Sequence, residues 1–108
     1  MYTQEQRDRL VETLLDGKAV KCKTADENNA LFEILNGAGM CWVHGTPLLS
    51  WTSWKYYGKD TAYNYEHGRN GIMTCNAQWY SDHGYTVVNF DEILTSEPTV
   101  SLMEYMSL

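Results

Sequence analysis

Residues 61–75 place the tightest limit on the fold. TAYNYE reads as a strand and IMTC as its partner, and the HGRNG between them has turn chemistry that includes an Asn-Gly step. Asn and Gly tolerate the positive φ that a tight reversal needs. In such a hairpin Tyr63 and Tyr65 share one face, and Ala62 and Asn64 share the other. The remaining chain offers helices and further strands to set against it.

Residues 2–16 are predicted to form a helix. Thr3 and Gln6 fit a capping box, Leu10, Val11, Leu14 and Leu15 form an apolar stripe, and Gly17 is a natural stop. A short strand is expected over 18–23. Thr24 then opens a second helix, with Glu27 completing another capping box. Its buried stripe is Leu31, Ile34 and Leu35, with Phe32 on the flank. Residues 40–44 read as a strand built around Trp42. Residues 48–58 show no clear period. Asn76 caps a short helix that runs to Asp82, residues 85–90 form a strand rich in β-branched and aromatic side chains, and 91–94 form a last helical turn. The expected fold class is α+β: a small mixed or antiparallel sheet of about four to five strands, packed with about two to three helices. One domain is expected over 1–94. Pro98 sets off a tail, 95–108, too apolar for a disordered linker. The tail is expected to pack on its own domain or to reach a neighbouring subunit as an oligomer arm.

The chain has 108 residues, enough for one domain and too few for two. A domain of this size is only marginally stable, so homo-oligomerisation is an expected supplement. The N-terminus carries no basic region followed by an apolar stretch, and no apolar run approaches membrane-spanning length. Both point to the cytosol, with no membrane partner. The three cysteines, Cys22, Cys41 and Cys75, are far apart and odd in number, which fits buried thiols better than a disulfide framework. A net charge of −6 disfavours stable nucleic-acid binding, because phosphate repels an acidic surface. Every Lys and Arg lies at or before Arg69; after it come Asp82, Asp91, Glu92, Glu97 and Glu104. That acidic third is solvated surface, or else a face that meets a basic partner or mimics nucleic acid.

Catalytic signatures are absent. Neither a Gly-x-Ser-x-Gly elbow nor a phosphate-binding glycine loop occurs. His83 follows Asp82, but neighbours on a helix do not face each other, and a histidine near a helix C-terminus is favoured electrostatically without any function. His67 falls in a turn and is expected to be solvent-exposed. A composite zinc site of Cys41, His44 and Cys75 has no support from spacing. The chain is therefore expected to have no catalytic residues, no metal and no cofactor.

Aromatic density stands above background. Trp42, Trp51, Trp54, Tyr56, Tyr57, Tyr63 and Tyr65 crowd the middle of the chain, followed by Trp79, Tyr80 and Tyr85. Trp42, Trp79 and one of Tyr63 and Tyr65 are expected in the core. The others can form a binding surface, because Trp and Tyr join apolar area to a polar tip. Lys55, Lys59 and Arg69 flank the same region. Rings beside cations suit a nucleotide, whose base stacks while its phosphate meets ammonium or guanidinium. Asn64 and Asn70 could read polar edges. The candidate ligand-binding set is Trp51, Trp54, Lys55, Tyr56, Lys59, Asn64 and Arg69.

Three segments, TADENNALFEILNGAGMCWVHG, WKYYGKDTAYNY and GIMTCNAQWYSDHGYTVVNFDEIL, resemble a family of small bacteriophage and prophage accessory proteins of unknown function. The resemblance covers about 19–94 and has no catalytic residues to transfer. It implies a phage accessory product acting in the host bacterial cytoplasm, where such proteins alter or block host machinery; with the aromatic cluster, the expected function is non-enzymatic counter-defence. The roles open to such a protein are sequestering a small nucleotide-derived immune signal and inhibiting a host factor through the acidic third.

Overall fold

The computed structural model of the chain describes residues 2–95. The predicted tail therefore lies outside the described residues, apart from Thr95. Helix α1 spans Gln4–Leu15, strand β1 Ala19–Lys21 and helix α2 Ala25–Gly37. After a 3-10 turn at Leu48–Ser50 come α3, Trp54–Tyr57, and a second 3-10 turn at Gly58–Asp60. The hairpin is β2, Thr61–Glu66, and β3, Gly71–Asn76. Helix α4, Ala77–Asp82, strand β4, Val87–Asn89, and helix α5, Phe90–Thr95, follow. The fold is α+β. Among the described residues its five α-helices exceed the two to three expected, because 48–58 and 90–95 each form a short helix of their own.

The sheet is mixed, in the order β3-β2-β1-β4. β1 pairs antiparallel with β2 and parallel with β4, and β2 pairs antiparallel with β3. Strand alternation then divides the core in two. On one face Val20, Tyr63 and Ile72 meet Leu10 and Leu14 of α1, Leu31, Phe32 and Leu35 of α2, and Phe90 and Ile93 of α5. On the other, Ala19 and Ala62 meet Tyr80 of α4. The first face is thick with helices; the second has one short helix over it.

Local signals explain the ends of these elements. Thr3 and Gln6 form the full capping box on α1. Thr24 caps α2 by accepting from Glu27 N–H (3.1 Å), but the Glu27 carboxylate accepts from Lys23 N–H (2.7 Å) instead of from Thr24. Asn76 caps α4, as expected. Asn70 takes φ of 52° at the hairpin turn, the conformation its Asn-Gly step favours.

Three expectations about burial or strand formation are corrected. Residues 40–44 are no strand: they make only single bridges, Cys41 with Pro47 and Trp42 with Ile72. Trp42 is nonetheless buried, edge-on to Phe32 at 5.4 Å. Trp79 is exposed, stacked on His83 at 4.0 Å, because the next residue on α4, Tyr80, takes the inward position. Leu15, at the end of the α1 stripe, is also exposed. No helix among the described residues is long and apolar enough to cross a membrane.

Candidate functional site

The segment 51–57 displays its aromatics because its polar residues are tied to the core. Ser53 is fully buried, and its Oγ lies 2.7 Å from Thr74 Oγ1 and donates to the Tyr63 hydroxyl at 3.4 Å. Tyr63 in turn donates to Asn28 Oδ1. Asn28 donates from Nδ2 to Thr52 Oγ1 (3.2 Å), which also accepts the Trp54 backbone N–H (3.1 Å). This chain of hydroxyls and one carboxamide joins α2, β2, β3 and the segment. Burial pushes the Tyr63 phenol well above its ordinary pKa, so it stays a neutral donor.

Outside this clamp the side chains form a run of rings. Trp51 is 45% exposed and meets the buried Trp42 edge-on, at 5.2 Å between centroids. Tyr56 is 64% exposed and lies 6.4 Å from Trp51, tilted by 34°. Lys55 Nζ sits 5.1 Å from the Tyr56 ring centroid, a cation–π distance. Next to Trp51 is a groove of about 400 Å³, lined also by Trp42, His44, Thr46, Ile72 and Thr74. That is the size of a small-ligand site.

The predicted set therefore separates. Trp51, Tyr56 and Lys55 come together. Trp54, beside them in sequence, is partly buried and packs on the core. Asn64 is 4% exposed, on the opposite face of the sheet, and its Oδ1 accepts from the Tyr80 hydroxyl at 2.7 Å; its role there is structural. Lys59 and Arg69 are both exposed but stand at opposite ends of β2. The six residues of that strand, about 20 Å of extended chain, lie between them. They cannot hold one phosphate together. The groove residues His44, Thr46 and Thr74 lay outside the sequence-derived set; the turn at 43–45 beside which the first two sit begins inside the stretch 40–44 that reads as a strand.

His67, His83 and the cysteines are accounted for locally. His67 is exposed as expected, yet its Nε2 lies 2.9 Å from Leu15 O and its ring packs edge-on to Tyr65. His83 Nδ1 lies 2.7 Å from Trp79 O, at the C-terminus of α4. Cys22 is fully buried, and desolvation, with Glu27 adding to it, pushes its thiol well above the ordinary range. Cys41 and Cys75 are half-buried. Among the described residues no group of three or more His, Cys, Asp or Glu is placed to hold a metal ion. In the acidic third, Asp91 pairs with Lys23 at 3.4 Å and Glu92 accepts from Asn89 Nδ2 at 2.8 Å, while Glu97 lies outside the described residues.

No family model matches this chain, and no curated protein or solved structure is significantly similar to it. The fold and the exposed rings define a small α+β domain with an aromatic surface beside a groove.

Proposed function

We propose that the protein binds and holds a small nucleotide-derived ligand without transforming it. One observation carries this reading: the run Trp42, Trp51, Tyr56 ends in the Lys55 ammonium and borders a groove of ligand size. A base stacks on indole or phenol rings, and a phosphate is drawn to the cation. Aromatic rings shown to solvent beside a groove favour a binding surface, because they join apolar area to a polar tip. The setting, a phage counter-defence protein that removes a nucleotide-derived immune signal, is supported by the sequence resemblance alone.

The test is ligand release. The protein is incubated with cyclic nucleotides and with ADP-ribose-type nucleotides, washed, and heated. Recovery of intact ligand, together with a thermal shift that Trp51→Ala abolishes, is the expected result. Recovery of an altered molecule would show an enzyme. No shift with any nucleotide, together with capture of a host protein that charge reversal at Asp91 and Glu92 abolishes, would replace this reading with inhibition through the acidic third.

A further inference from the structure

The groove beside Trp51 follows the outer edge of β3, and that edge is open at one residue. Ile72 turns its backbone away from β2. Its N–H donates to Cys41 O (2.8 Å) and its C=O accepts from Val43 N–H (3.2 Å). Backbone direction repeats at every second residue of a strand. Thr74 faces Tyr63 in the same phase as Ile72 faces Tyr65, so its own N–H and C=O point off the same edge. By then the 41–43 segment has turned away, with Gly45 N–H donating back to Trp42 O at 2.8 Å. Beyond Thr74 the edge ends, because Asn76 is already the N-cap at which the chain turns into α4. No backbone partner meets Thr74 off that edge among the described residues. A second orphan lies in the groove wall: among the described residues the indole N–H of Trp42 is buried without an acceptor. Buried donors are rarely left so.

An open edge one residue long is too short for strand addition, which draws affinity from several main-chain pairs in register. It suits a flat ring carrying a donor next to an acceptor. We propose that the groove takes a nucleobase, whose amidine or lactam edge pairs with the Thr74 N–H and C=O while its face lies against Trp51. The sugar and phosphate then lead out past Tyr56 toward Lys55. This deepens the nucleotide reading above and rests on it. Base identity is read by the backbone of β3, and no side chain has to supply it.

The experiment uses the full chain, labelled with ¹⁵N, and titrates it with AMP and GMP. Their edge-blocked analogues, N6,N6-dimethyl-AMP and 1-methyl-GMP, serve as probes of the pairing, and ribose 5-phosphate controls for phosphate alone. The expected result is that a nucleotide shifts the Thr74 amide resonance and that its blocked analogue binds roughly tenfold more weakly or worse, since a buried backbone pair is then left unmade. If a nucleotide binds while the Thr74 amide stays still and the blocked analogue binds equally well, the edge reading is wrong and the nucleotide reading stands. If neither nucleotide moves any resonance at millimolar concentration, the base-edge proposal is wrong, and the nucleotide reading then stands or falls on the ligand-release test above. All three outcomes are read on the unmutated protein, so none depends on a variant folding.

Discussion

Gly71→Ala is the substitution to which the seam between the groove wall and the sheet is most sensitive. A Cβ at Gly71 would lie 2.5 Å from Val43 Cα, 2.6 Å from Val43 N and 2.7 Å from the Trp42 carbonyl carbon. These are backbone atoms, so no rotamer change relieves the clash. Segment 41–43 must move off β3. That breaks the two backbone bonds to Ile72, at roughly 0.5–1.5 kcal/mol each, and repacking around Trp42 adds roughly 1–3 kcal/mol. Alanine is itself the better strand residue by roughly 0.5–1 kcal/mol. The net destabilisation expected is about 1–5 kcal/mol, a fall in Tm of roughly 5–25 °C for a domain this size. Gly71 does not have a positive φ, so the contact is tested without backbone strain. Gly68→Ala is the control: its Cβ would meet only a flexible carboxylate oxygen, Glu66 Oε1, at 3.5 Å. Urea unfolding followed by tryptophan fluorescence gives both values. If Gly71→Ala lies within about 0.5 kcal/mol of Gly68→Ala, the close approach of 42–43 to β3 is not the constraint argued here.

Three further outcomes are expected. Tyr63→Phe leaves Asn28 Oδ1 without its donor in a buried site and should cost about 1–3 kcal/mol; equal unfolding midpoints for Tyr63→Phe and the half-buried control Tyr65→Phe would remove the clamp from the account. Stability should fall with alkaline pH. Cys22, Tyr63 and Tyr80 ionise near 9.0, 10.0 and 10.0 in the unfolded chain, and burial raises all three in the fold. The native state thus keeps protons that the unfolded state loses, so the stabilisation is complete below about pH 9 and declines above it; urea midpoints unchanged between about pH 8 and about pH 10.5 would contradict this. At about pH 8 Cys22 should resist a thiol-specific disulfide reagent until the protein is unfolded, and rapid labelling of Cys22 in the native state would show that it is not buried.

The capped helices and the 61–76 hairpin were readable because their signals are local. A threonine three residues before a glutamine or glutamate, or an Asn-Gly step between alternating strands, acts over a few residues; Thr24 caps α2 even though Glu27 bonds to Lys23 N–H instead of closing the box. Residues 40–44 misled because Trp42 pairs with β3 at a single position, and burial of one large side chain produces the same pattern as a strand. Trp79 and Tyr80 show a related limit: two adjacent aromatics on a six-residue helix cannot both face the sheet, and the sequence does not say which one does. Alternation placed Asn64 correctly opposite Tyr63. That Tyr80 would cover it depends on α4 crossing that face, which no local rule supplies. The candidate site was legible as a density of rings. Lys59 and Arg69 were drawn in by closeness along the chain, and β2 holds them apart. Thr74 gave no signal, since the feature it contributes is main-chain geometry at a sheet edge.

The clamp of Asn28, Thr52, Ser53, Tyr63 and Thr74 has an evolutionary consequence. Residues that anchor the 51–57 segment are distinct from those that it shows to solvent. Trp51, Lys55 and Tyr56 can be exchanged without disturbing what positions them, so the displayed chemistry is free to drift while the mount stays fixed. A lineage under pressure to follow a changing ligand could alter those three positions one at a time, each step starting from a folded protein.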